Sequence, residues 1–153
     1  MNNLVAILEK GAVHAESQGI DASVLLQSRL FPDMFPLVRQ VQIVSDISRR
    51  GVARLAGEEA PAMEDSETSF AELISRLQNS IAYLEGFEAA RLDGTEEKQV
   101  TVPIGGEKSI TMSGWPFLSC FVLPNVYFHL STAYAILRHN GVPLGKLDFL
   151  GTP

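Results

Sequence analysis

One cysteine, Cys120, and one tryptophan, Trp115, stand in a chain of 153 residues. A disulfide framework needs at least two thiols, so burial alone must hold the fold. Positive charge is short as well: Lys and Arg total 12 against 18 Asp and Glu, for a net charge of −6. That balance suits a polyphosphate poorly, and the Arg49-Arg50 pair is too small to reverse it, so no nucleic-acid partner is expected. No apolar run approaches the roughly 20 residues that a bilayer crossing takes, so no membrane span is expected. Leu4 to Leu8 is too short for the core of a secretory signal, lacks basic residues before it and is followed by acids, which predicts a cytoplasmic chain. Internal repeats and low-complexity tracts are missing. So are CxxC, HExxH, GxSxG, the Walker loop and the dinucleotide fingerprint, which removes the motif-based enzyme classes.

What is present is apolar and helical. Hydrophobic residues make up 46% of the chain, which excludes disorder and suffices for one core in a single domain over 1–153. In such a core the lone Cys120 is expected as a small hydrophobe. Glycine and proline punctuate the pattern. A first helix is expected over 3–18, stopping at Gly19, and a short one over Ala22–Ser28, capped by Asp21. Asp33 is read as the cap of a long helix ending at Gly57, striped by Met34, Leu37, Val38, Val41, Val44, Ile47, Val52 and Leu55. An acidic loop, Glu58–Glu67, follows, and its 64–67 run reads as a solvated face. Ser69 and Glu72 form a capping box for the next helix, with Phe70, Leu73, Leu77, Ile81 and Leu84 on one side and Gly94 as its end. The period then becomes two. Val100, Val102 and Ile104 alternate, Gly105-Gly106 turns the chain, and Ile110 and Met112 alternate again, which predicts a β-hairpin. The last long helix is Trp115–Asn140, interrupted near Pro124 and closed by Gly141 and Pro143. In the 144–153 tail, Leu147, Phe149 and Leu150 are expected to pack back. The fold class is all-α: a four-helix bundle with a hairpin inserted before its last long helix.

The chemistry-bearing residues fall on two helices. Asn125 and His129 are four apart and share a face, as do Gln42 and Asp46 within the apolar stripe of the 33–57 helix. Polar groups on core-facing helices need partners. If these helices are neighbours, the four residues meet inside the bundle, either as a ligand site or as a satisfied cluster that fixes helix register. His129 is the candidate acid/base or lone metal ligand. His14 and His139 are weaker candidates; His139 suits the negative end of a helix dipole. Arg39, one turn before Gln42, is expected to reach solvent or pair with an acid. The aromatic stretch of Trp115, Phe117, Tyr127, Phe128 and Tyr134 reads as core packing.

The stretch PNVYFHLSTAYAILRHNGVPLGKLDFLG, together with FPDMFPLVRQVQIVSD and the TSFAEL helix start, resembles an uncharacterised bacterial and fungal domain family of the DinB/YfiT-like superfamily. The resemblance covers essentially the whole chain. It implies a four-helix bundle whose site is one His on the second helix and a His-x-x-x-His on the last. It also implies divalent-metal chemistry of the thiol-transferase or isomerase kind. Carried over by position, His129 stands at the second histidine of the pair, Asn125 at the first and Gln42 near the second-helix histidine. Two amides with one imidazole would hold a transition metal weakly unless Asp46 or His14 joined. The divalent-metal site is therefore expected to be lost or changed. Three functions stay open: a small-molecule pocket around His129, enzymatic or binding; a non-catalytic interaction bundle; and a metal-dependent transferase with a rebuilt ligand set. A homodimer is expected, as for superfamily relatives.

Overall fold

The computed structural model describes residues 1–151. Helix α1 (Asn2–Gln18) ends at Gly19, and α2 (Ala22–Gln27) starts where the Asp21 carboxylate accepts from the Ser23 amide at 2.8 Å. The long helix α3 runs Leu37–Ala56, later than Asp33 suggested. Pro36 is the reason: its ring keeps Phe35 out of the helical region, so the helix begins after the proline. Helix α4 (Phe70–Glu85) opens on the expected capping box of Ser69 and Glu72. It stops at Gly86, well before Gly94, because its apolar stripe is spent at Leu84. A 3-10 turn over Ala89–Arg91 leads to the hairpin.

Strands β1 (Gln99–Gly105) and β2 (Lys108–Ser113) pair antiparallel, with Val100 opposite Met112 and Val102 opposite Ile110. Only the end of the hairpin nearest the helices is buried. Val100 and Val102 are inside, whereas Ile104 and Ile110, expected to alternate inward, are exposed. A short α5 (Gly114–Pro116), a π-helical segment (Phe117–Val122) and α6 (Leu123–His139) then form one helical rod. The interruption expected at Pro124 is this π segment. Proline has no N–H for the carbonyl of Cys120, so the turn before it widens and the rod continues. The rod, Gly114–His139, is long and apolar enough to cross a bilayer by length and composition, contrary to the expectation that no segment is. Its inner face instead closes the core: Leu130, Ala133, Ile136 and Leu137 are buried. Gly141 takes the left-handed conformation expected of it, φ 90°.

Helix α3 lies against both α4 and α6, and α1 against both α4 and α6. The main core fills the space between them, and a second cluster of Leu55, Val100, Val102, Phe117 and Val122 sits under the hairpin. Two glycines set close approaches. A Cβ at Gly51 would lie 2.8 Å from a Val122 methyl, and one at Gly114 would lie 2.0 Å from the Thr95 carbonyl oxygen. The last helix, α7 (Lys146–Leu150), returns to α1. There Asn3 donates to the Phe149 carbonyl at 2.9 Å and Lys10 pairs with Asp148 at 2.5 Å. Phe149 packs edge-on against Tyr134, but Leu147 and Leu150 stay exposed, since so short a helix has one inward face. Residues 152–153 of the expected tail lie outside the described residues. Cys120 is exposed rather than in the core, because the π segment turns Phe117 and Val122 inward instead.

Candidate functional site

His129 is half-buried on α6 and faces α3. Its partner is Gln40, not Gln42: Nδ1 and the Gln40 Oε1 are 2.7 Å apart. Gln40 is buried, and its Nε2 donates to the Phe35 carbonyl at 2.9 Å. That second bond fixes the amide, so its oxygen faces the ring and must accept. His129 therefore carries its proton on Nδ1, and in the neutral ring Nε2 keeps its lone pair. Burial first, and the positive Arg39 second, hold the imidazole below its ordinary range, which favours that neutral form at pH 7. Phe128 packs edge-on against the ring.

The other residues singled out in the sequence have different partners. Asn125 donates to the Phe121 carbonyl, 2.7 Å away on its own rod, where the π segment frees backbone acceptors. Gln42 donates to Glu67 at 2.8 Å and accepts from Arg39 at 3.2 Å. Asp46 receives three guanidiniums: Arg76 at 2.8 Å, Arg49 at 2.9 Å and Arg50 at 3.1 Å. So α3 and α6 are neighbours, as the argument required, yet the four residues do not form one hydrogen-bonded cluster. His14 lines a separate cleft with Val13 and Pro143, close to Gly141. Gly141 is twelve positions past His129, about 18 Å at helical rise. His139 is exposed.

The group that sequence reasoning missed is Arg76, whose side chain is 1% exposed. It pairs with Asp46, with Glu67 at 2.7 Å and with Asp65 at 3.0 Å, and donates to the Glu64 carbonyl at 2.8 Å and the Ser45 hydroxyl at 3.2 Å. Burial alone would lower its pKa, but Glu67 and Asp46 together outweigh that and raise it. Arg39 pairs with Asp65, and the buried Arg49 donates to the Pro61 carbonyl at 2.7 Å. Glu64, Asp65 and Ser66 are exposed, as expected of a solvated face, but Glu67 is drawn into the ion network of the buried Arg76. A signal existed: Arg76 lies three after Leu73 and four before Ser80, so it falls on the inward stripe of α4.

The metal that the superfamily implies does not fit these residues. Gln42 is held by Glu67 and Arg39, Asn125 by the Phe121 carbonyl and Asp46 by three arginines, so the open Nε2 of His129 has no second donor beside it, and Arg39 places positive charge near the ring. Among the described residues no three His, Cys, Asp or Glu side chains come together as a metal-holding group.

A mostly helical chain with one inserted hairpin and this pairing of helices defines a DinB-like protein. A crystal structure of a DinB family member from Shewanella denitrificans superimposes with a TM-score of 0.92 at 45% identity, covering 99% of this chain and 85% of that one. The chain belongs to the domain of unknown function DUF1993, which matches residues 1–150. No curated protein matches the sequence.

Proposed function

We propose that the chain is a cytoplasmic four-helix bundle of DinB/YfiT type that binds a small molecule at the α3–α6 seam. In it His129 serves as a neutral hydrogen-bonding and proton-accepting group, not as one ligand of a divalent metal. The observation that carries this reading is the held imidazole. Gln40 orients Nδ1–H, no bond to Nε2 exists among the described residues, and burial with Arg39 keeps the ring uncharged. A base oriented by a neighbour is the arrangement that proton transfer requires. The test is a fragment screen by ligand-observed NMR at pH 7, comparing the protein with His129→Gln. Binders lost in a variant that keeps its helical circular dichroism support the reading. A divalent metal at near one equivalent, lost in His129→Ala, would replace it with the transferase-like alternative.

A second reading, a homodimeric interaction bundle, is favoured by the exposure of Tyr127 and Phe128, which line one shallow groove with Leu30. Phe31, Phe35 and Leu123 are exposed as well. These six side chains amount to on the order of 600 Å² of apolar surface, close to one side of a standard interface. Sedimentation equilibrium decides it: a dimer dissociated by Tyr127→Ser with Phe128→Ser supports this reading, and a monomer at all concentrations removes it.

A further inference from the structure

Arg50 and Arg54 stand one turn apart on the outer side of α3, and each lines two adjoining clefts. One cleft, about 240 Å³, is completed by Glu59, Ala60 and Ala62 of the acidic loop. The other, about 190 Å³, lies between α3, β1 and the π segment, with Val102, Pro103, Phe117 and Phe121 as its apolar wall. Phe121 is half-buried and stacks on the buried Phe117 with ring centroids 5.9 Å apart, so the ring that faces the cleft is backed by a second one. The charge here runs against that of the chain. Asp46, the only carboxylate on the second cleft, is already shared by Arg49, Arg50 and Arg76. Arg54 has no ion pair or side-chain hydrogen bond among the described residues, and Arg50 is half-exposed. Arg54 also complements the negative end of α3, but that role needs neither cleft.

We propose that this second cleft is a binding site for a small organic carboxylate with a flat apolar body. The carboxylate sits on Arg54 and Arg50, whose guanidinium forks match its two oxygens. The body lies against Phe121 and Pro103. The volume admits a molecule of roughly ten non-hydrogen atoms, the size of an aryl or short branched acid. The site is separate from the His129 seam: Arg50 is ten positions along α3 from Gln40, about 15 Å. Its widened π turn is what brings Phe117 and Phe121 to the wall.

Phenylacetate titrated into the full chain and followed by amide NMR tests this, with inorganic phosphate and phenethylamine as comparisons. A ligand of this size with one ionic anchor is expected to bind with a Kd on the order of 0.1–1 mM. Shifts should be confined to 46–54, 102 and 117–122, and phenethylamine should cause none. Arg54→Gln should weaken binding about tenfold or more, the loss of one charge-assisted anchor, with the amide spectrum otherwise intact. Arg50→Gln, which leaves Asp46 paired with Arg49 and Arg76, is the second variant and should weaken it too. Saturable shifts elsewhere, shifts insensitive to both variants, equal binding of phosphate, or no saturation by about 10 mM would each overturn the proposal.

Discussion

Replacing Asp46 with Asn keeps the shape of the side chain and removes the charge on which three guanidiniums converge. Two of those guanidiniums belong to buried side chains. Arg76 is 1% exposed and Arg49 is 3% exposed, at 2.8 and 2.9 Å from the same oxygen. Arg76 retains Glu67 and Asp65, but Arg49 would be left with the Pro61 carbonyl, and its Nε already lacks a partner among the described residues. Removing one partner of a buried pair costs about 3–5 kcal/mol. Asp46 is itself 15% exposed, so water relieves part of this and the lower end, about 3 kcal/mol, is the expected loss. The half-exposed Arg50 pair adds little, about 0.5 kcal/mol at most. In a domain of this size that loss lowers Tm by about 6–12 °C. Urea unfolding followed by far-ultraviolet circular dichroism measures it, with Arg50→Gln as the control that should change stability by under about 1 kcal/mol. Asp46→Asn within about 1 kcal/mol of the parent would refute the reasoning, because the network would then be behaving as a surface one.

Three further outcomes follow from the geometry. The His129 imidazole titrates below 6.5 in the folded chain, so the unfolded chain takes the proton first; stability is therefore full above that value and falls as pH drops through it toward the lower folded pKa, and Arg39→Leu, read by imidazole NMR, should move the folded pKa up. The same spectra should show the neutral ring protonated on Nδ1, and Gln40→Leu should abolish that preference. Gly114→Ala drives a Cβ into the Thr95 backbone, where no side chain can yield, so it should destabilise by more than about 2 kcal/mol in thermal melts, whereas Ser69→Ala should cost about 1 kcal/mol through loss of its cap.

Local chemistry was legible in the amino-acid order. The capping box at Ser69, the turn at Gly105-Gly106 and the glycine stops at Gly19, Gly57 and Gly141 are decided within a few residues by backbone sterics, and they stand where the pattern places them. Helical periodicity likewise found most of the inward face of α3. On the last rod, however, only Phe117 of the expected core aromatics is fully buried, and Trp115, Tyr127 and Phe128 are exposed because the inward positions go to Leu130, Ala133, Ile136 and Leu137. What escaped it were choices among competing local solutions. Pro36 rather than Asp33 starts α3, and a π segment rather than a kink admits Pro124. Side-chain partners were further beyond reach. Whether His129 meets Gln40 or Gln42 depends on how α3 and α6 are staggered, which close packing of Gly51 on Val122 helps to set. Whether Glu67 is solvated depends on where a loop falls over a buried arginine on another helix. The sequence by itself determined that the helices and the hairpin form and where most of their caps and turns fall, because those follow from contacts a few residues apart. The pairing of charges and the environment of His129 were decided by tertiary packing, because electrostatic partners are fixed by distance in space and not by spacing along the chain.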